Sequence, residues 1–214
     1  MEFKIENVPY SSQRDNAIQP LVSCFPTSVG MAIQYCLQLL DLDKRAIGCD
    51  EGVQIEDYLN EVIYDYSTKK WMEQNTGRLG RWIWSYKRRS IFVVEEYVFN
   101  KLMNDFGFKV TFNSKLTFNK YKKKIQETQL PIVLGADFSS ISKVKGHIVC
   151  GIGFNDVKLN EIICHDPYQN FLNPGRYDKK DKQRYMQGRE SKYPTRFFKK
   201  NASGHMYGLV IEKI

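Results

Sequence analysis

Cys24 lies two residues before Pro26, at the head of a run in which Val29, Ile33, Cys36 and Leu40 recur at the spacing of one buried helical face. Proline fits a helix only in its first turn, where the missing N–H is not needed. The helix therefore begins near Cys24 or Phe25, with a thiol at its tip. A thiolate, not a thiol, is the nucleophile, and the free N–H groups at the start of a helix favour an anion. Far along the chain, Gly146 and His147 open the apolar run Ile148-Val149-Cys150-Gly151-Ile152-Gly153. Imidazole is the usual general base for a thiol. Asp166-Pro167-Tyr168 closes the next apolar run, and Pro167 holds Asp166 extended. If the two runs pair about the polar turn at 155–160, His147 and Asp166 become cross-strand neighbours to within about a residue. A carboxylate behind an imidazole orients the ring and stabilises its charged form. The chemistry in view is acyl transfer, with Cys24 as nucleophile, His147 as base and Asp166 as orienter. Gln13 and Gln19 precede the cysteine in a polar loop, and either amide could share an oxyanion site with the Cys24 N–H. His165 and His205 compete for the role of base. On a strand His165 faces opposite to Asp166, and His205 beside Gly204 reads as a loop residue.

These residues need a helix and a sheet to hold them. Phe3, Ile5 and Val8 form a weak opening strand, and 9–19 reads as loop. One or two helices fill 54–75, another spans 95–106 and stops at Gly107, and a basic helix covers Phe118–Thr128. The period then changes to that of strands at 130–136, 147–154, 161–164 and 206–211, with 169–203 loop-like. Helices first and an antiparallel sheet second make an α+β fold.

Composition narrows the possibilities further. Apolar residues at 42% and aromatics at 14% exclude a disordered chain. No window approaches the ~18 apolar residues of a membrane span, so no membrane partner is expected. A length of 214 residues suits one domain, 1–214, with a helical insertion at about 41–129 and a basic loop at about 169–203. The five cysteines are odd in number and contain no Cys-x-x-Cys pair, which argues against a disulfide framework or a zinc knuckle and fits a reducing compartment. Met1-Glu2-Phe3-Lys4 lacks the apolar core of an export signal. The expected location is cytoplasmic, with a phage-encoded or non-classically exported protein as the alternative. Asp41, Asp43, Asp50 and Glu51 lack the spacing of a calcium loop, so neither a metal nor another cofactor is expected. The net charge of +8 is concentrated towards 177–200, and a solvated basic loop is preferred there over a docking surface. Arg78, Arg81, Trp82, Trp84, Tyr86, Lys87, Arg88 and Arg89 mix cations with aromatics as sites for single-stranded nucleic acid do. Trp packing and solvated cations are the favoured reading of that stretch.

Four segments taken together resemble the C39-like peptidases, a branch of the papain-like cysteine peptidases. They are Val8-Pro9-Tyr10-Ser11-Ser12-Gln13, Cys24-Phe25-Pro26-Thr27-Ser28, Gly146-His147-Ile148-Val149 and Cys164-His165-Asp166-Pro167-Tyr168. The resemblance covers the first forty residues and roughly 130–170. It implies a papain-like fold, with an N-terminal helical half carrying the nucleophile helix packed on a C-terminal antiparallel β-sheet. It also implies Gln13 as oxyanion donor, Cys24 as nucleophile, His147 as general base then acid, and Asp166 as orienter. Gln19, nearer the cysteine, remains the second candidate for the oxyanion role. Phe25 follows the cysteine where many members carry glycine. The implied activity is a cysteine peptidase or isopeptidase acting on a protein or peptide through an acyl-enzyme. The alternatives are an acyl transferase using the same triad, or a basic binding protein, with nucleic acid a possible partner, on an inactive peptidase fold.

Overall fold

The run His147–Asn155 is buried along almost its whole length, and the molecule is built around it. The computed structural model describes residues 1–17, 20–21, 23–67, 90–142, 144, 146–157, 159–199 and 204–214, with side chains left out at 63–67 and 90–94. In chain order the elements are β1 (Glu2–Lys4), α1 (Cys24–Gln38), α2 (Ile55–Ser67), α3 (Ser90–Met103), β2 (Phe108–Leu116), α4 (Phe118–Thr128), β3 (Ile132–Ala136), β4 (His147–Asn155), β5 (Glu161–His165), a single helical turn at Lys182–Tyr185, β6 (Ser191–Pro194) and β7 (Met206–Lys213).

The strands form one sheet in the order β2-β7-β3-β4-β5-β6, and β1 also pairs with β4. Every pairing is antiparallel. β3 lines β4 from His147 to Gly151, and β1 takes over from Gly153 to Asn155. That handover requires a glycine, because a Cβ on Gly153 would lie 2.2 Å from the Phe3 carbonyl oxygen. α1 packs on β4 and β3 on one side and on α2 on the other. Its residues from Phe25 to Ile33 are all buried. A helix buried all round is a core helix, and each large apolar side chain it sinks contributes about 1.5–3 kcal/mol. α3 packs against β2 and α2. The result is an α+β fold in which α1, the helix that begins at Cys24, lies on an antiparallel sheet. Among the described residues no helix is long and apolar enough to cross a membrane.

Several elements differ from the sequence reading. The segment at 41–129 is not wholly helical, because β2 pairs with β7 inside the sheet. Its alternation of buried and exposed residues is clear only over its first four positions, and a bulge interrupts it after Asn113. Local pattern therefore carried little signal there, and pairing with a distant strand decided the conformation. The segment at 169–203 is not all loop either. β6 pairs with β5, turning Tyr193 inward while Lys192 reaches Glu2 at 2.9 Å. Four residues are too short a run for periodicity to register. α3 starts at Ser90, five residues before the expected start. The predicted helix at 54–75 is described only as far as Ser67.

Candidate active site

α1 starts at Cys24, where Pro26 requires it to start. The loop before it is tied to its first turn by side chains. Asn16 Nδ2 donates to Ser23 Oγ at 2.7 Å and to Thr27 Oγ1 at 3.0 Å, and Thr27 Oγ1 donates to the Ser23 carbonyl at 2.8 Å. Ser23 itself makes no side-chain capping bond, so its hydroxyl does not consume the first N–H groups of the helix. One turn further on, Ser28 Oγ donates to the Ile148 carbonyl at 3.2 Å. That bond staples the helix to the residue next to His147. All five cysteines are free thiols, and Cys24 alone is not buried. Burial pushes the Cys36 thiol up to about 12 and also raises those of Cys49, Cys150 and Cys164. Phe25 turns into the hydrophobic core.

His147 opens β4 and is 4% exposed. Its Nε2 lies 2.8 Å from Asp166 Oδ1. The rings of Phe138 and Phe171 wall it in, with centroids 5.8 and 5.3 Å away. Burial works to lower the proton affinity of the ring. The charge and hydrogen bond of Asp166, followed by the side chain and charge of Cys24, outweigh it and raise the pKa to about 10. The sulfur and the carboxylate thus both act on one imidazole, which carries its proton at neutral pH. Asp166 is itself fully buried and well bonded. Its Oδ1 also accepts from the N–H groups of Tyr168 at 2.9 Å and Gln169 at 3.3 Å, and its Oδ2 accepts from Tyr193 Oη at 2.9 Å.

β4 and β5 do pair, but a register shift lies between Gly151 and Gly153. Extending the ladder from Cys150↔His165 places Asp166 opposite Val149 rather than His147. His147 and Asp166 are therefore diagonal neighbours on one face, and their side chains bridge the offset.

Gln13 is held against the same turn. Its N–H donates to the Pro167 carbonyl at 2.8 Å, and Ser12 Oγ donates to the same oxygen at 3.3 Å. The Gln13 side chain is 1% exposed, Nε2 donates to the Pro20 carbonyl at 2.9 Å, and Oε1 has no partner. Gln19 and the stretch from Arg78 to Arg89 lie outside the described residues. His165 does other work. Its Nε2 meets the Val8 carbonyl at 3.0 Å and its Nδ1 accepts from the Glu190 N–H at 3.1 Å. Burial lowers it to about 4, so it remains a neutral bridge between the opening loop and the basic segment. His205 pairs in a short bridge just before β7. Among the described residues no group of three or more His, Cys, Asp or Glu could hold a metal ion.

Tyr193, Phe138 and Phe171 belong to the site and were not singled out from the sequence. Tyr193 had no usable signal, because its place beside Asp166 depends on β6 joining the sheet. Gly188 is a further hidden contributor. Its carbonyl accepts from the Asp166 N–H at 2.8 Å, and a Cβ on it would lie 1.8 Å from the Asp166 carbonyl oxygen. Gly188→Ala must push the Asp166 turn away, at a cost of about 1–3 kcal/mol. A thermal melt should show a fall in Tm of roughly 3–10 °C. An unchanged melt would mean that the turn gives way without strain.

The sequence matches no curated protein significantly. Among solved structures the chain is similar to one described as the crystal structure of UfSP from C. elegans, at 16% sequence identity and a TM-score of 0.35. That match covers 56% of this chain and 22% of the other, a likeness too slight to assign anything. The profile of the Peptidase_C39 like family matches residues 5–194. A match over most of the chain, on the helix and strands that carry Cys24, His147 and Asp166, shows that the protein belongs to the Peptidase_C39 like family.

Proposed function

We propose that the protein is a cysteine peptidase that cleaves a peptide or isopeptide bond through an acyl-enzyme on Cys24. The observation that carries this reading is the 2.8 Å bond between His147 and Asp166, both buried, with the only non-buried thiol acting on the same ring. His147 rests as the imidazolium at neutral pH, already holding the proton that Cys24 gives up to become the nucleophile. The sulfur attacks the carbonyl carbon, and negative charge moves onto the carbonyl oxygen. Gln13 Nε2 has one N–H engaged by Pro20, and its other N–H is assigned to that oxygen together with the Cys24 backbone N–H. His147 then passes its proton to the leaving amine and the C–N bond breaks, leaving a thioester. Water, losing a proton to His147, attacks the thioester, and the carboxylate product departs as the sulfur is released. Asp166 holds the ring in place throughout, and its own position is fixed by Tyr193 and two backbone N–H groups.

Native alkylation with iodoacetamide, followed by peptide mapping, tests the reading. Cys24 should be carbamidomethylated well before the other four thiols, and cleavage of a peptide library should stop in step with it. Earlier labelling of Cys36, Cys49, Cys150 or Cys164 would remove the support for this function. The oxyanion role is separable. Gln13→Ala should lower kcat by roughly 10²–10³ with little change in KM, since the bond strengthens only as charge develops. An equal loss in both parameters would assign Gln13 to loop structure instead.

A further inference from the structure

Gln13 and Arg14 share one short 3₁₀ turn, Gln13–Asp15. Three residues of that geometry make a weak element on their own, so side chains must hold it in place. After the turn, Asn16 is bonded to Ser23 and Thr27 on the nucleophile side. At its start, Ser12 and the Gln13 N–H reach the Pro167 carbonyl, next to Asp166. Arg14 lies between these ties. Its guanidinium carbon sits 4.9 Å from the ring centre of Tyr168 and 5.0 Å from that of Tyr177. Two rings on one planar cation make a grip that a lysine ammonium does not reproduce. Among the described residues Arg14 has no carboxylate partner, and its Nη1 is buried without a hydrogen bond. Stacking, rather than ion pairing, therefore holds the guanidinium.

The rings that grip it lead on to the base. Tyr168 donates its N–H to Asp166 Oδ1 at 2.9 Å, and its ring stacks on Phe171 with centroids 5.9 Å apart. Phe171 in turn meets the His147 ring edge-on, with centroids 5.3 Å apart. One guanidinium thus links the turn that carries Gln13 to the aromatic wall of the imidazole. We propose that Arg14 is a positioning residue: held between Tyr168 and Tyr177, it fixes the Gln13 amide relative to Cys24 and His147. This rests on Gln13 being the oxyanion donor. A donor displaced by about 1 Å from the developing charge loses up to roughly 10²-fold in rate, so the grip on its turn matters to the reaction.

Two reagents separate placement of the amide from general damage. With p-nitrophenyl acetate the Cys24 sulfur attacks the acetyl carbonyl, charge gathers on its oxygen, and p-nitrophenolate departs to leave a thioester. With iodoacetamide the same sulfur displaces iodide, and no carbonyl oxygen gains charge. The ratio of the two second-order rates, each followed at Cys24 by mass spectrometry, therefore reports the oxyanion site and cancels changes in the thiol itself. Arg14→Met keeps a long apolar stem but removes the guanidinium, and it should lower the ratio about tenfold. Gln13→Ala should lower it by roughly 10²–10³. Adding Arg14→Met to Gln13→Ala should lower it no further, because the arginine acts only through the amide. An unchanged ratio in Arg14→Met, or a further fall of about tenfold in the double variant, would overturn the proposal. If Arg14→Met does not fold, Tyr177→Leu opens the same grip from the other side and is read in the same way. A ratio that Gln13→Ala leaves unchanged would instead remove the oxyanion reading, and the positioning role with it. That result is obtained with Arg14 intact, so the two failures are distinct.

Discussion

Cys24→Ala should abolish cleavage, lowering the rate by about 10⁴-fold or more, while leaving the fold intact. Removal of the nucleophile of a covalent triad leaves only the contribution of binding and the oxyanion site. The side chain is half-buried and packs only at the edge of the core, so stability should change by no more than about 1 kcal/mol. The measurement is a comparison of the new N-termini that wild type and Cys24→Ala release from a cell lysate, with melts of both proteins. His147→Ala should lose about as much activity, and the double variant little more, because the two groups act as one unit. Independent, additive losses would mean that sulfur and ring do not work together. Retained cleavage in Cys24→Ala would remove covalent catalysis at this position altogether.

Asp166→Asn should be nearly as damaging, and the pH profile identifies the reason. In the wild type, burial lowers the His147 pKa, while Asp166 and Cys24 bring it up to about 10. Replacing the carboxylate by a neutral amide leaves burial much less opposed, so the ring loses its proton at a lower pH. The alkaline limb of kcat/KM, near pH 10 in the wild type, should move down by several units. At pH 8 kcat/KM should fall by roughly 10³–10⁴. An alkaline limb that stays near pH 10 would show that Asp166 does not govern this ring. Stability follows the same group. The folded pKa of His147 lies above the ~6.5 of a free imidazole, so the protonated ring contributes fully below about pH 6.5. That contribution is lost as pH rises through about 10. Asp166→Asn forfeits it at neutral pH. Breaking one side of a buried charge pair costs about 3–5 kcal/mol, and the isosteric amide should sit at the lower end. The corresponding fall in Tm is roughly 6–12 °C, and it should shrink when both proteins are melted at alkaline pH.

Much of this centre is legible in the chain because a few residues restrict it locally. Pro26 admits only a helix beginning close to Cys24, and that is where α1 begins. The apolar runs flanking 155–160 can only be strands joined by a tight turn, so His147 and Asp166 had to emerge at one end of a hairpin. Glu95 was also within reach. An acid that precedes Phe99 and Met103 on one helical face is out of place by its pattern alone, and its side chain is buried without a hydrogen-bond partner.

Other features required the assembled sheet. The shift between Gly151 and Gly153 moves Asp166 from opposite Cys150 to opposite Val149, which puts it on the same face as His147, and no residue pattern specifies where a ladder slips. β2 and β6 are strands because β7 and β5 offer them edges, and their own alternation is too brief to declare it. Tyr193 reaches Asp166 across 27 residues of chain only once β6 has docked. Backbone restriction and hydrophobic period act over a few residues, so the sequence alone determined the start of α1 and the strands β3, β4, β5 and β7, and singled out Cys24, His147 and Asp166 as candidates. Hydrogen-bonded pairing and burial act between segments far apart in the chain. Only the tertiary structure could therefore decide which groups surround the imidazole and how strongly it holds its proton.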